Sequence, residues 1–225
     1  MAAPEPQADA PHEPHVRVEK LVKRYGDRTV LHGLDLTLDR AETLVIIGGS
    51  GAGKSTLVRH LIALERPTSG SIIIGGVDIS ALTEVQLARE RRRFGMVFQK
   101  YALFDSMTCF DNVAFPLREH TDLSEAMIRD LVLMKLEAVG LRGAHALMPG
   151  ELSGGMARRV ALARAVALDP MLVMYDEPFA GLDPIALGVI GRLIRSLNDA
   201  LGATSIMVTH DIQESLLIVD YIYFL

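Results

Sequence analysis

From Val16 onward the chain switches between two spacings of apolar positions, and each switch marks a new element. In "VRVEKLV" (16–22) and "LHGLDLTL" (31–38) apolar and polar residues alternate, as in antiparallel strands with one buried face; "SIIIGGVDI" (71–79) belongs with them. "TLVIIG" (43–48), "MLVMYD" (171–176) and "TSIMVT" (204–209) are unbroken apolar runs of strand length, suited to strands covered on both faces. The first two are expected to be central. Elsewhere the spacing is helical. Ser124 is placed as an N-cap, and Met127, Ile128, Leu131, Val132, Leu136 and Val139 form a stripe ending at Gly140. Pro184 opens a second helix, with the stripe Ile185, Ile190, Leu193, Ile194 and Leu197 and a stop near Gly202. The expected class is α/β: a core of buried strands, an antiparallel β subdomain, and an inserted α-helical subdomain at about 100–165.

Composition narrows this picture. At 225 residues the chain is expected to form one domain beyond a short leader. Although 49% of residues are apolar, no window approaches the roughly 18 uninterrupted apolar residues that cross a bilayer. A net charge of -5 gives no global attraction for a polyanion, so a general nucleic-acid binder is excluded, and the basic run "RERRRFG" (89–95) is expected to be a solvated helix face. Cys109 is the only cysteine, so no internal disulfide forms, and no His and Cys spacing suggests zinc. A reducing, cytosolic setting fits. Residues 1–15, "MAAPEPQADAPHEPH", read as a disordered leader outside a fold that starts at residue 16.

The first chemistry appears at "GGSGAGKST" (48–56), which matches G-x-x-x-x-G-K-[ST] between an apolar strand and a helix, the context of a P-loop NTPase core. Gly48, Gly49, Ser50, Gly51, Ala52 and Gly53 let backbone N–H groups surround phosphate oxygens. Lys54 neutralises the β/γ-phosphates, Ser55 supplies a hydroxyl for Mg²⁺, and Thr56 continues the helix start. Mg²⁺ also needs carboxylate oxygen beside the phosphates. Asp176 ends a buried strand and can supply it, and Glu177 follows where it can polarise an attacking water.

Together with these motifs, the order Tyr25, Gln99, "LSGGM" (152–156), "LVMYDEP" (172–178), "AGLD" (180–183) and His210 resembles the ATP-binding cassette (ABC) family, the ATPase subunits of ABC transporters, over nearly the whole chain from Val16. The resemblance implies a RecA-like core and two cassettes paired head to tail. In that pair Ser153, Gly154 and Gly155 of one copy cover the γ-phosphate held by the P-loop of the other. It further implies that Tyr25 stacks on adenine and that Gln99 senses metal and attacking water. His210 would hydrogen-bond the γ-phosphate, and Asp183 would cross to the partner copy. Met156 stands where the family usually has Gln. The residues alone also allow Ser153 and Asp183 as helix N-caps, with Arg158, Arg159 and Arg164 keeping the "LSGGM" helix soluble.

"FDNVAFPLREHT" (110–121) and "ELSGGMARRVALARA" (151–165) are similar to the ATPases of Mla-type phospholipid transporters. That similarity implies ATP and Mg²⁺ as cofactors and a peripheral position on the cytoplasmic face of the bacterial inner membrane. The implied partners are an integral-membrane permease, an MCE lipid-binding protein and a small STAS-domain protein, with no nucleic acid. Phe104, Met107, Phe110 and Phe115 are expected either to dock the permease or to pack the helical insertion. The family usually continues beyond "DYIYFL", where this chain ends. The rival class is a soluble ABC ATPase acting on DNA or ribosomes, which co-purification with ribosomes or DNA would reveal. A P-loop kinase leaves Ser153 to Gly155 and His210 unexplained, and a regulatory module without turnover leaves Glu177 unexplained.

Overall fold

The computed structural model describes residues 13–210 and 218–225; the expected leader falls largely outside them. The chain opens on β1 (Val16–Tyr25) and β2 (Arg28–Leu38), joined by a tight turn through Asp27 and paired antiparallel from Val16 against Leu38 to Tyr25 against Arg28. β3 (Thr43–Ile47) leads through a glycine loop into α1 (Lys54–Leu61). β4 (Ser69–Ile74) and β5 (Val77–Asp78) return to the first sheet, whose order is β2-β1-β4-β5. After α2 (Glu84–Glu90) and β6 (Phe94–Val97) come three helices, α3 (Cys109–His120), α4 (Glu125–Ala138) and α5 (Gly154–Ala165). The chain re-enters the core as β7 (Leu172–Asp176), α6 (Pro184–Leu201), β8 (Thr204–Val208) and β9 (Tyr221–Phe224).

The second sheet has the order β6-β7-β8-β3-β9 and every pairing in it is parallel. β3 and β7 are interior strands as expected, with β8 between them. The unbroken apolar runs follow from this position, because successive side chains point to opposite faces and both faces are covered. Leu44, Ile46, Leu172, Met174, Ile206 and Val208 join one core with the antiparallel sheet and α1. Val45, Ile47, Val173, Tyr175 and Met207 join the other, with α3 to α6. Complete burial of a side chain such as Met174 contributes about 1.5–3 kcal/mol, so the sheet is the stiff plate on which the loops at its ends are mounted.

Four local expectations change. His15, assigned to the leader, is buried: its Nδ1 lies against the Thr204 hydroxyl and its carbonyl accepts from Gly75 N at 2.8 Å, so the fold begins at least one residue earlier. Met127 and Ile185 fall off their stripes and are exposed, because each lies on the solvent side of its helix together with Met134 and Val189, while Ile128 and Leu187 in the same first turns are buried. The basic run is helical only as far as Arg93, as the end of α2 and one 3-10 turn over Arg91–Arg93. Arg91 donates to the Ala63 carbonyl, and Phe94 and Gly95 enter β6. The caps at Ser124 and Asp183 form, and Gly202 closes α6 in the left-handed conformation.

Candidate functional site

At the C-terminal end of β3 the loop Gly48–Gly53 turns into α1. Gly53 has φ 103°, and a Cβ there would also come within 3.0 Å of Leu31 and 3.3 Å of the Val30 carbonyl, so glycine is required twice over. No side chain caps α1, which leaves its first backbone N–H groups facing the loop. Lys54 curls over the same loop, Nζ donating to the carbonyls of Gly48 at 2.6 Å and Gly49 at 3.0 Å. Backbone donors and an ammonium group thus converge at a helix start, an arrangement that attracts phosphate oxygens.

The neighbouring strand ends supply the acids. β7 delivers Asp176, and Glu177 follows in the left-handed region at φ 49°, its N–H bonded to the Val208 carbonyl at 2.8 Å. A non-glycine residue in that conformation is strained, and the strain turns the Glu177 carboxylate toward the loop beyond β8. There His210 Nδ1 lies 2.8 Å from Glu177 Oε2, so the imidazole donates to the carboxylate. Burial, then the adjacent Glu177 charge, hold Asp176 above the usual carboxylate range, with Arg59 pulling the other way.

One cleft of about 550 Å³ collects these groups: Ser50, Gly51 and Gly53 to Thr56 from the loop, Gln99 from beyond β6, and Asp176 with Glu177 opposite. Tyr25 lines its outer end. The phenol of Tyr25 donates to Glu65, which pairs also with Arg59 and Lys23, and the Lys23 ammonium lies 4.9 Å from the ring centroid. Arg28 and Val30 line the cleft too and were missed in the sequence. Both sit on β2 beside Tyr25, and the turn at Asp27 is the signal that would have found them. Gly48, Gly49 and Ala52 build the base of the loop, where Ala52 N donates to Gly49 O at 3.2 Å.

Ser153, Gly154, Gly155 and Asp183 are not brought into this cleft. Ser153 Oγ accepts from Met156 N at 3.3 Å as the N-cap of α5, while Ser153 and Gly154 remain exposed. Met156, the departure from Gln, is half-buried and packs inward on the helical core, so its apolar character is spent on packing. Asp183 Oδ1 accepts from Ile185 N and Ala186 N, both at 3.0 Å.

The sequence alone allowed Arg158, Arg159 and Arg164 to keep α5 soluble, but Arg158 and Arg164 are turned inward instead. Arg158 is 2% exposed, and its Nη2 donates to Tyr101 Oη at 2.9 Å and to the Ala180 carbonyl at 2.8 Å. Its buried Nη1 has no hydrogen-bond partner among the described residues, a penalty of about 1–3 kcal/mol. Arg164 donates to the carbonyls of Tyr101 at 2.9 Å and Ala102 at 2.8 Å, and burial lowers its pKa. Val160 to Ala163 are buried in succession, so α5 is covered on all sides, and that unbroken apolar run beyond Arg158 is the only local sign that the helix is interior.

An apolar cleft of about 420 Å³ lies beside Gln99, lined by Met96, Phe98, Phe104, Phe115, Leu168 and Pro170 among others. Phe104 packs on Phe115 with centroids 4.9 Å apart, yet is 41% exposed. Of the four aromatic and methionine positions singled out in the sequence, Phe110 packs against the helical core, whereas Phe104 presents a face outward. Among the described residues no helix is long and apolar enough to cross a membrane.

Comparison with known proteins agrees with this geometry. The family model described as "ABC transporter" matches residues 31–180. The chain is 54% identical over 208 residues to the intermembrane phospholipid transport system ATP-binding protein MlaF of Haemophilus influenzae, covering 92% of this chain and 79% of that one. It is 51% identical over 200 residues to MlaF of Escherichia coli K12, covering 89% and 74%. Its fold matches the dimeric post-hydrolysis ATP-binding cassette MJ0796 bound to ADP and Pi, with a TM-score of 0.82 and 31% identity over 92% of this chain and 93% of that one. With two thirds of its length matched by the family model and a P-loop, acidic strand end and exposed "LSGGM" helix start in the family's order, the chain belongs to the ABC transporter family as an ATP-hydrolysing cassette.

Proposed function

We propose that the protein is the ATPase that drives phospholipid transport between bacterial membranes, seated on the cytoplasmic face of the inner membrane under a permease. The observation that carries the mechanism is the division of polar groups. Lys54, Gln99, Asp176, Glu177 and His210 converge at one end of the parallel sheet, whereas Ser153 and Gly154 face outward at the start of another helix. The close identity to intermembrane phospholipid transport ATPases supports the substrate class.

ATP enters the cleft with its base against Tyr25 and its phosphates on the N–H groups of Gly51 to Lys54, the Lys54 ammonium leaving its carbonyl partners for the β/γ-phosphates. Ser55, Gln99 and Asp176 offer one hydroxyl, one amide and one carboxylate oxygen in the same cleft, a hard-oxygen set that fits Mg²⁺. No group of three His, Cys, Asp or Glu among the described residues forms a metal cage, and Mg²⁺ requires none because it is held largely by water and phosphate. When bound, the ion neutralises charge on the phosphates. Glu177, steadied by His210, orients a water and takes its proton as the water oxygen bonds to the γ-phosphorus and the bridging bond to ADP breaks, releasing ADP and phosphate. A second copy completes the site with Ser153, Gly154 and Gly155, and Asp183 lies at the same junction. Nucleotide-driven closure and reopening are passed to the permease through the apolar cleft beside Gln99, at Phe104 and its neighbours. An MCE lipid-binding protein and a small STAS-domain protein complete the assembly.

The test is phospholipid transfer between vesicles by the chain reconstituted with the polytopic membrane protein that co-purifies with it. Transfer that depends on ATP and is lost in Glu177→Gln is expected. Recovery of the chain with ribosomes or DNA, and with no membrane protein, overturns the reading.

A further inference from the structure

Three segments that meet nucleotide in the reading above are tied to one buried side chain. Arg158 sits on α5, one turn beyond the exposed start at Ser153 and Gly154. Its Nη2 reaches Tyr101 Oη at 2.9 Å, in the loop that follows Gln99, and the Ala180 carbonyl at 2.8 Å, in the turn that follows Glu177. That turn is closed by Ala180 N donating to the Glu177 carbonyl at 3.2 Å, so the guanidinium holds the far end of the turn whose near end is the strained Glu177. The Tyr101 loop is equally constrained: Tyr101 and Ala102 both have positive φ, at 59° and 48°, and Arg164 clasps their carbonyls. Tyr101 Oη lies 3.9 Å from where a Cβ on Gly154 would stand, which brings the phenol to the helix start itself.

We infer that Arg158 is a positioning residue for hydrolysis: it locks the α5 start, the Gln99 loop and the Glu177 turn into one unit, so that Glu177 is aimed only when the α5 start is seated on nucleotide. Packing alone does not require a charge here. A buried arginine without a carboxylate partner, with one nitrogen unsatisfied among the described residues, is a costly way to fill space, and its retained bonds run to two loops rather than to the core. The spare Nη1 gives the same guanidinium a donor for a second arrangement of the two loops, as a two-state coupling element needs.

The inference rests on the proposed roles of Glu177 and Ser153, and its test keeps the two apart. Steady-state phosphate release and equilibrium binding of a fluorescent ATP analogue are measured on the full chain and on Arg158→Lys, Arg158→Gln and Tyr101→Phe, with melting temperatures alongside. Glu177→Gln serves as the reference for the site. Arg158→Gln is expected to lower kcat about tenfold, equivalent to ~1.4 kcal/mol, with KM and analogue binding within twofold of the parent. Arg158→Lys keeps the charge and is expected to recover the melting temperature but not kcat, since an ammonium does not span both loops. Tyr101→Phe removes a single bond and is expected to cost about threefold in kcat. Adding it to Arg158→Lys is expected to change nothing further. Parental kcat in Arg158→Lys, or losses that track melting temperature or appear only in KM, overturn the positioning role. A parental rate in Glu177→Gln instead overturns the assignment of the site on which it stands.

Discussion

Two of the helices start at glycine-rich stretches, and they are finished differently. At α1 no side chain caps the first turn, and the loop is ringed by Lys54, Asp176, Glu177 and Gln99 of the same chain. At α5 the cap is complete, supplied by Ser153, and what stands beside it is the buried clamp of Arg158 and Tyr101 rather than a second cleft with acids. A helix start with free donors and nearby charges is half of a binding site by itself. One that is already capped, with Ser153 and Gly154 exposed, gathers no such groups from its own chain. Under the proposed function the two starts are opposed jaws of one phosphate site, brought together only between two copies of the chain.

The largest effect that can break this contrast is at Glu177. Glu177→Gln is expected to lower turnover by about three orders of magnitude while nucleotide binding persists, read from phosphate release and analogue binding. Near-parental turnover would remove the acid from the α1 side of the comparison. Next comes Lys54→Ala, for which affinity for ATP is expected to fall about 100-fold, since charge-assisted hydrogen bonds are lost; titration with a fluorescent analogue reads it directly. The α5 side is sharpened by mixing. Ser153→Arg, expected to bind nucleotide normally but turn over about tenfold slower, is combined with Lys54→Ala. The mixture is expected to turn over faster than either protein alone, because one intact site then forms from two chains. A mixture no better than its components would place Ser153 in structure only. Ser153→Ala tests the cap separately and is expected to destabilise the fold by about 1 kcal/mol by denaturant unfolding.

The smallest expected effect lies away from both helix starts. Burial, then Arg40 and Arg93, hold the pKa of His15 below its ordinary value, so the unfolded chain binds a proton that the folded chain resists. Stability is then fully present above the unfolded value of about 6.5 and declines as pH falls through it toward the depressed folded value. A melting temperature that falls from pH 7.5 to 5.5 in the parent, and less steeply in His15→Gln, is the expected result. Equal slopes would assign the acid sensitivity to other groups.

Legibility followed the range of the forces involved. Strands were readable because burial on one face or two imposes alternation or a continuous run on neighbouring residues, as in 16–22 and 43–48. Caps at Ser124 and Asp183 were readable because a cap bonds two or three residues away. The P-loop was readable for the same reason: its glycines and Lys54 act on one short stretch of backbone. Arg158, by contrast, was read as a solvated residue, because the partners that bury it, Tyr101 and Ala180, lie 57 and 22 residues away. Arg28 escaped notice because only the pairing of β1 with β2 puts it beside Tyr25. Met127 and Ile185 border their apolar stripes, and only packing decides which border faces solvent.

By itself, then, the sequence determined the alternation of strands and helices, the phosphate loop, the acidic strand end and the family, since each is written in residues close together along the chain. Only the tertiary structure decided that Glu177 meets His210, that Tyr25 is held by Glu65 at the mouth of the cleft, and that one guanidinium joins two loops to the α5 start. The first depends on β8 lying beside β7 in the parallel sheet, and the others on how the antiparallel sheet and the helices pack around it, arrangements set over the whole domain.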